Sequence, residues 1–175
     1  VMKDSDWVSP VAIVLWPSMA TPLKTEERMP NVRIRVAVII RKDNQVLLVE
    51  HQKDGQKYWL LPGGGVEFGE SLAKCAVREL KEETNLDIEV GSLAFVADSI
   101  APDDSRHVVH VVFYAKELGG QLQVGQEERL YTARYVDIDE LNNLVIYPPI
   151  AKDIVEAVEN AKIYRPSYLG SMWID

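Results

Sequence analysis

Apolar and polar residues alternate along the chain from residue 32, and this alternation predicts its first β-strand. The apolar positions of this segment are Val32, Ile34, Val36, Val38 and Ile40. A period of two is typical of a strand that buries one face. A polar turn at residues 42–44 and a second apolar run at residues 45–51 follow. The two runs together predict a β-hairpin.

Further along the chain, the pattern switches between strand and helix periodicity. It predicts strands at residues 58–61, 88–97, 107–115 and 130–136, helices at residues 71–84 and 150–161, a helical turn at residues 137–141 and a polar loop at residues 52–57. The strands precede and surround a helix and do not alternate regularly with helices. We therefore expect an α/β domain in which helices cover a mixed sheet.

The two ends of the chain lack this periodicity. Four prolines interrupt residues 1–31. Three interpretations remain open for them: an extension that packs on the domain or a partner subunit, residues left from an expression vector, or a start codon assigned too early, with Met29 as the functional start. We expect the domain to span residues 32–162 and residues 163–175 to form an irregular tail. The candidate anchors of this tail are Tyr164, Tyr168 and Trp173.

The chain is acidic, with 27 acidic and 19 basic residues among 175 and a formal net charge of −8. This balance disfavours binding to a nucleic-acid polymer, which requires clustered Lys and Arg, and it favours Mg²⁺ or Ca²⁺ as a partner. The charge is uneven, because it is +2 over residues 1–63, −2 over residues 64–86 and −8 over residues 87–175. We therefore expect the first third of the chain to bind an anionic ligand.

Cysteine content and apolar run length bear on where the protein works. Cys75 is the only cysteine, which excludes an intrachain disulfide and a Cys-rich zinc site and fits a reducing compartment. The apolar run at residues 11–16 is far shorter than the roughly 18–20 residues that span a membrane. It also lacks the basic flank of a signal peptide. We therefore expect a cytoplasmic protein without a membrane partner.

The predicted helix at residues 71–84 carries three acidic residues on one arc. Ser71 is its predicted N-cap. Its predicted apolar stripe consists of Leu72, Ala73, Ala76, Val77 and Leu80, and its predicted outer face of Lys74, Arg78 and Lys81. Glu79, Glu82 and Glu83 adjoin the apolar stripe, because residues three and four apart are neighbours on a helix.

Three carboxylates beside a core repel one another and lose solvation, so they need a compensating charge. A hard divalent cation with oxygen ligands is one solution. An acidic helix rim with ion pairs to surface Lys or Arg is the other, and the pattern leaves both open. Gly63, Gly64 and Gly65 precede the helix. Their backbone could approach a cation or a phosphate closely, although a glycine run alone is more typical of a plain turn.

Residues 64–86 resemble the signature of the Nudix hydrolases. That signature is G-x5-E-x7-R-E-U-x-E-E-x-G-U, where U is a bulky aliphatic residue. Gly64 and Glu70 occupy the first two defined positions, and residues 78–86 read R-E-L-K-E-E-T-N-L. The one departure is Asn85 at the second glycine. We expect a left-handed backbone there, which Asn adopts more readily than other residues with a side chain.

The resemblance implies the family's fold, an α/β/α sandwich around a mixed β-sheet. It also implies metal-dependent cleavage of a diphosphate that joins a nucleoside to another group, with Mg²⁺ or Mn²⁺ as cofactor. The implied metal ligands are the Gly63 carbonyl and the carboxylates of Glu79, Glu82 and Glu83. Arg78 is the implied orienting residue. Glu70 is the accessory glutamate of the signature, which we group with the substrate-binding residues.

The general base varies within the family that the sequence resembles, between a signature glutamate and a glutamate of a later loop. We expect Glu82, Glu83 and Arg78 to take part in catalysis. Glu127 and Glu128 are the loop candidates, and we assign Glu128 as the catalytic one. An ordinary solvated loop is the alternative interpretation of that segment.

Substrate identity has weaker support in the sequence. Pro102 lies 16 residues beyond Leu86, where family members that cleave ADP-ribose often carry a proline. Arg33 and Arg35 share a strand face and are expected to bind phosphates, with a solvated face as the alternative. Side chains that could either stack on a base or pack in the core are Tyr58 and Trp59. The histidines interpreted as structural are His51, His107 and His110.

These features predict a hydrolase of ADP-ribose or a similar nucleotide sugar. A (d)NTP pyrophosphohydrolase is the second hypothesis. A nucleotide sensor without catalysis is the third, and the complete glutamate set argues against it. The expected partner is a small nucleotide. A second copy of the chain is also expected, because homodimers are frequent in the family that the sequence resembles.

Overall fold

The computed structural model describes residues 31–160 and 165–172. The predicted roles of residues 1–30, Tyr164 and Trp173 lie outside this part of the chain. The predicted domain bounds of 32 and 162 stay predictions. Within the described residues, no helix is long and apolar enough to cross a membrane.

Every predicted strand and helix recurs in the structure, with two further strands that the pattern did not predict. The strands are β1 (Val32–Lys42), β2 (Gln45–Lys53), β3 (Gln56–Leu60), β4 (Gly63–Gly65), β5 (Leu86–Ile100), β6 (His107–Gly120), β7 (Leu130–Asp137) and β8 (Ser167–Ser171). The helices are α1 (Leu72–Thr84), α2 (Ala151–Glu159) and a 3-10 helix (Ile138–Asn143).

Three segments predicted to lack regular structure proved to contain strands. The predicted loop at residues 52–57 belongs mostly to β2 and β3, which pair as a hairpin. The glycine run forms β4, which pairs with β1. The tail is not wholly irregular, because β8 pairs in parallel with β5, and the Tyr168 hydroxyl donates a hydrogen bond to Asp98.

The sheet is mixed, as predicted, and β1 lies at its centre. The strand order is β3-β2-β1-β6-β5-β8, with β4 added beside β1 and β7 beside β2. β1 runs parallel to β6 from the Val32–His107 pair to the Ile40–Ala115 pair. The predicted hairpin of β1 and β2 is paired only at its turn, because the rest of β1 bonds to β6 and β4.

Both faces of β1 are buried, which gives the molecule its layers. Ala37 and Ile39 pack in a core cluster with α2, whereas Val36, Val38 and Ile40 pack in a cluster with α1. A central strand that is covered on both faces reads as a continuous apolar run. The structure therefore has a helix on each side of a mixed sheet, and the predicted α/β/α sandwich is confirmed.

The buried face of α1 is rotated from the predicted apolar stripe. Val77 is 43% exposed and Ala73 is also exposed, although both were assigned to that stripe. The buried residues of α1 are Cys75, Ala76, Leu80, Glu83 and Thr84. Arg78, predicted on the outer face, is half-buried. The buried face is rotated because α1 packs against β4, whose glycines carry no side chains, as well as against the longer strands β1 and β5.

The two ends of α1 are capped as the sequence predicted. The Ser71 hydroxyl accepts a hydrogen bond of 3.3 Å from the backbone N–H of Lys74. Asn85 adopts the left-handed conformation with φ of 57° and donates its backbone N–H to Lys81. Its side chain also donates to the Gln121 carbonyl at 3.1 Å, so Asn85 ties α1 to the segment after β6.

Candidate active site

Glu83 lies at the centre of the site, where α1 meets β4. Its carboxylate belongs to a residue that is 3% exposed, and its Oε2 accepts a 2.8 Å hydrogen bond from the backbone N–H of Gly63. Gly63 has φ of +141°, and a Cβ there would lie 2.1 Å from the Val36 carbonyl oxygen. Only glycine lets the backbone run this close to β1 while it donates to Glu83.

Gly64 leaves space for a second carboxylate. A Cβ at this position would lie 2.2 Å from the Glu79 carboxyl carbon, although its backbone is not strained. The Glu79 carboxylate therefore rests directly over the backbone of β4. Burial raises the pKa of Glu79, and the hydrogen bond from Arg78 opposes that effect.

Arg78 joins three glutamates of the helix and loop. Its guanidinium holds Glu70 through two hydrogen bonds of 2.9 and 3.0 Å. It also donates to Glu79 at 2.8 Å, to Glu82 at 3.1 Å and to the Gly65 carbonyl at 3.1 Å. The bond from Arg78 lowers the pKa of Glu70 to about 2. A planar fork of donors suits this role, and lysine could not reproduce it.

Cys75 is buried beside this network and contacts both Arg78 and β4. It is fully buried on α1, and its thiol lies 3.4 Å from the Gly65 carbonyl. Burial raises the pKa of Cys75 to about 12, with the nearby carboxylates adding to the effect. A thiol in this state is unreactive, in line with a packing role.

Arg35 is the second arginine of the site and lies on β1, where it pairs with Gly65 of β4. One of its Nη atoms donates to the carbonyls of Leu61 at 3.0 Å and Gly63 at 2.7 Å. Burial lowers the pKa of Arg35, whereas Glu83 and Glu79 act in the opposite direction. The Gly63 carbonyl was predicted as a metal ligand. A carbonyl oxygen has two lone pairs, so its bond to Arg35 leaves one for a cation.

The segment after β6 brings a further carboxylate to α1. Gly125 donates its N–H to the Glu83 carbonyl at 2.9 Å, and Gln123 donates to the Thr84 carbonyl at 3.0 Å. Within the described residues, ligand atoms of His51, Glu83 and Glu127 lie within 4.8 Å of one another. Glu79, Glu82, Glu83 and Glu127 line one cavity of about 720 Å³.

A second cavity, of about 690 Å³, is lined by Arg35 and shares no lining residue with the first. Its lining combines aromatic side chains with cations: Tyr58, Tyr147, Arg35, Lys53, Lys57 and Arg106. The rings of Tyr58 and Tyr147 meet edge to face at 5.2 Å between centroids. Trp59, in contrast, is 8% exposed and belongs to the core. Of the two aromatic residues that the sequence left open, Tyr58 therefore faces a cavity and Trp59 packs inside.

The structure brings most of the predicted site residues together. The assembled set is Gly63, Glu70, Arg78, Glu79, Glu82 and Glu83, with Arg35 beside them. Arg33 is exposed, with its guanidinium near Gly65. Glu128 and Pro102 are exposed and line neither of the two cavities described above, so their assigned roles stay predictions.

His51 is the residue of the cluster that sequence reasoning did not assign to the site. Its strand β2 pairs with β7, and a bulge between Glu50 and His51 shifts the register. A bulge turns the following side chain away from the regular alternation. The apolar run of β2 gives no signal of that bulge, because it arises only where the two strands meet.

The side chains present fit a divalent cation. Carboxylate oxygens of Glu79, Glu82, Glu83 and Glu127 line one cavity, and the half-buried charge of Glu79 lacks full compensation from Arg78, as its raised pKa indicates. Clustered oxygen ligands are what Mg²⁺ and similar hard ions prefer. The buried Nε2 atom of His51 also has no hydrogen-bond partner within residues 31–160 and 165–172.

Comparisons with known proteins agree with this arrangement. Residues 30–158 match the model of the NUDIX domain. The chain is 39% identical over 121 residues to an ADP-ribose pyrophosphatase of Methanocaldococcus jannaschii, and the match covers 69% of this chain and 67% of that protein. It is 30% identical over 131 residues to an NAD-capped RNA hydrolase, NudC, of Photorhabdus laumondii, and covers 49% of that protein.

Solved structures show the same fold. A NUDIX hydrolase from Nitrosomonas europaea superposes with a TM-score of 0.68 at 21% identity, and the match covers 77% of this chain and 93% of that one. The chain spans about two thirds of the length of the M. jannaschii protein and about half of that of NudC. The family match, the fold and a signature that departs only at Asn85 lead to one conclusion: the chain belongs to the Nudix family of hydrolases.

Proposed function

We propose that this Nudix hydrolase cleaves the diphosphate of a nucleoside diphosphate joined to a second group, and that ADP-ribose is its preferred substrate. The proposal is supported by one connection: Arg35 lines the aromatic and basic cavity and donates to the Gly63 carbonyl, while the N–H of Gly63 binds Glu83 in the carboxylate cavity. A molecule with a base at one end and a diphosphate in the middle suits such a pair of cavities. The related M. jannaschii protein, named an ADP-ribose pyrophosphatase, supports the same substrate.

The cofactor in this proposal is Mg²⁺ or Mn²⁺. Its ligands would be the Gly63 carbonyl and the carboxylates of Glu79, Glu82 and Glu83. When bound, such an ion neutralises the diphosphate and promotes ionisation of the attacking water. The backbone orients Glu83 for this role. The N–H of Gly63 donates to Oε2 of Glu83, which leaves Oε1 available to the ion.

Positioning is the main contribution of the surrounding residues. Arg78 holds Glu70, Glu79 and Glu82 in fixed orientations, so the carboxylates do not have to be ordered on binding. Arg35, with Arg33 nearer the solvent, supplies positive charge where the diphosphate would pass between the cavities. Phosphoryl transfer depends largely on such positioning and charge neutralisation.

The second cavity accounts for the base end of the substrate and the adjoining part of the diphosphate. The faces of Tyr58 and Tyr147 suit the adenine ring, and Lys53 and Arg106 suit the phosphate next to the adenosine. Neither cation forms an ion pair with a described residue. Their charge is thus available to a ligand.

The proposed reaction consumes one water molecule. The water oxygen bonds to one phosphorus, the bridging P–O bond breaks, and the products are AMP and ribose 5-phosphate. A carboxylate accepts the proton from the water. Glu127 is the candidate with its carboxylate in the cluster, and Glu128 remains the candidate assigned from the sequence.

A panel of nucleotides tests this proposal. ADP-ribose, NAD, a nucleotide sugar with another base and the eight common NTPs and dNTPs are incubated with Mg²⁺ or Mn²⁺, and the products are separated by anion exchange. We expect AMP and ribose 5-phosphate from ADP-ribose as the fastest reaction. Pyrophosphate release from an NTP as the fastest reaction would instead support the nucleotide-pool enzyme. Tight binding without any product would support the sensor.

Assembly and cellular location belong to the same proposal. We propose a homodimer, supported by the apolar side chains of Val32 and Ile34, which are 49% and 46% exposed at the start of the domain. Light scattering of the full chain and of a chain that begins at Met29 tests this, with a dimer expected for the full chain. The cytoplasmic location is a proposal from the single cysteine, and cell fractionation checks it.

A further inference from the structure

We propose that His51 is a nitrogen ligand of the divalent cation, so that the site binds Mn²⁺ and other first-row transition ions in preference to Mg²⁺. The inference rests on the proposed metal-dependent function and adds a residue from outside the Nudix signature. It also replaces the structural role that the sequence suggested for His51.

The first observation is a buried ring nitrogen without a partner. Nε2 of His51 has no hydrogen-bond partner among the described residues and no contact with solvent. Its nearest charged neighbour is Oε1 of Glu83 at 3.6 Å, which is too long for a hydrogen bond. A buried polar atom without a hydrogen-bond partner destabilises the fold, so its presence points to a ligand that completes it.

The second observation is the spacing of the donors around it. Ligand atoms of His51, Glu83 and Glu127 all lie within 4.8 Å of one another. Two donors on one cation are separated by at most about 4.2–4.6 Å, twice a metal–ligand bond. The cluster therefore needs little or no contraction to hold one ion. Glu83 is shared between this cluster and the signature glutamates, so the proposed His51 ligand belongs to the catalytic centre.

The backbone explains why these three side chains meet. The bulge at Glu50 and His51 lies where β2 pairs with the first residue of β7, Leu130. Gln52 donates its N–H to the Arg129 carbonyl at 2.9 Å and fixes that crossing. Glu127 lies two residues before Arg129, and its carbonyl accepts the N–H of Leu130 at 3.0 Å. The strand that carries the histidine and the loop that carries the glutamate are thus held together by main-chain bonds.

The donor set predicts the metal preference. Imidazole nitrogen is a good ligand for transition ions, whereas Mg²⁺ prefers an all-oxygen shell with several waters. One nitrogen added to the carboxylate ligands therefore favours Mn²⁺ over Mg²⁺. The other two histidines are partnered elsewhere: His107 contacts Asp98 at 3.1 Å, and His110 contacts the Ser99 hydroxyl at 3.0 Å. They serve as matched controls.

Pulsed electron paramagnetic resonance of Mn²⁺ bound to the full chain, prepared without a histidine tag, tests the inference directly. A coordinated imidazole modulates the electron spin echo at ¹⁴N frequencies. We expect that modulation in the wild type and in His107→Gln and His110→Gln, and its loss in His51→Gln. Since the chain has three histidines, retention in both control variants assigns the nitrogen to His51 even if His51→Gln fails to fold.

Titrations give the second readout. We expect His51→Gln to weaken Mn²⁺ binding by about 10-fold or more and Mg²⁺ binding, measured by competition, by less than about 3-fold. Bound Mn²⁺ without nitrogen modulation, or modulation that persists in folded His51→Gln, would overturn the inference and leave the proposed hydrolase intact. A wild-type chain that binds neither ion would contradict both.

Discussion

The backbone N–H of Gly63 donates a 2.8 Å hydrogen bond to Oε2 of Glu83, across the junction of β4 and α1. A bond to an ionised acceptor is about twice as strong as one between neutral groups. It orients the most deeply buried carboxylate of the site and commits one of its oxygens. The glycine strand and the acidic helix therefore form one unit, in which backbone geometry sets the direction of the remaining Glu83 oxygen.

The first prediction concerns the close contact between Gly64 and the carboxylate of Glu79. Gly64→Ala places a methyl group 2.2 Å from the Glu79 carboxyl carbon, so that carboxylate must move while the backbone stays relaxed. We expect turnover of ADP-ribose to fall by about 10–100-fold with little change in thermal stability. Gly119→Ala is the control, since a Cβ there meets nothing within 4 Å. Equal activity of the two variants would show that the Glu79 position is unimportant.

The two adjacent loop glutamates give the second prediction. Glu127→Gln removes a carboxylate of the metal cluster, whereas Glu128→Gln alters an exposed side chain outside the cavity. We expect Glu127→Gln to lower turnover and Mn²⁺ affinity by about 10–100-fold and Glu128→Gln to be close to wild type. The reverse ranking, measured under saturating substrate, would restore Glu128 as the catalytic residue assigned from the sequence.

The Arg78 network gives the third prediction. Arg78→Lys keeps the charge but cannot hold Glu70 bidentately while reaching Glu79 and Glu82. We expect kcat to fall by about 10–100-fold and KM to change much less, because the carboxylates lose orientation and the substrate cavity is untouched. Lys74→Ala, an exposed position on the same helix, should leave both constants unchanged. A pure KM effect in Arg78→Lys would contradict a positioning role.

His110 gives a prediction about stability and pH. Burial, with Arg35 and Arg106 nearby, lowers the pKa of His110 from 6.5 to about 4. Well above pH 6.5 the His110 ring is neutral in both the folded and the unfolded chain, so its titration does not change the free energy of unfolding. Between pH 6.5 and 4 the unfolded chain binds the proton first, so folding loses stability as pH falls, by about 2 kcal/mol at pH 5. Urea unfolding at pH 7 and pH 5 measures this loss.

His110→Gln is the matched variant for that experiment, because an amide can still hydrogen-bond to Ser99 without titrating. Other groups contribute equally to both proteins. We therefore expect the drop in unfolding free energy between pH 7 and pH 5 to be about 2 kcal/mol smaller in the variant. An identical drop in the two proteins would show that His110 is not held neutral.

The acidic helix was predictable because its signals are local. Ser71, the glutamates at three- and four-residue spacings and Asn85 all act within a few turns, and the structure has both caps in place. The rotation of the buried face was not predictable. It places Cys75 inside and Val77 outside, because β4 covers a side of α1 that the sheet alone would leave open.

The features that sequence reasoning missed depend on distant partners. Three glycines carry no strand signal, yet β4 forms because β1 offers an unpaired edge. β8 pairs with β5 across a wide gap in sequence, from Phe95 to Ser167. His51 enters the site through a bulge that exists only where β2 meets β7. Hydrophobic periodicity and composition describe one segment of the sequence at a time, so they could not predict β4, β8 or the bulge at His51.

The most direct measurement is the formation of AMP from ADP-ribose, with Mg²⁺ or Mn²⁺ present, by the wild type, Glu83→Gln and Glu140→Gln. Glu140 is exposed on the 3-10 helix and controls for the loss of one negative charge. We expect full activity in Glu140→Gln and a loss of about 100-fold or more in Glu83→Gln, with its circular dichroism unchanged. Wild-type turnover in Glu83→Gln would contradict this expectation.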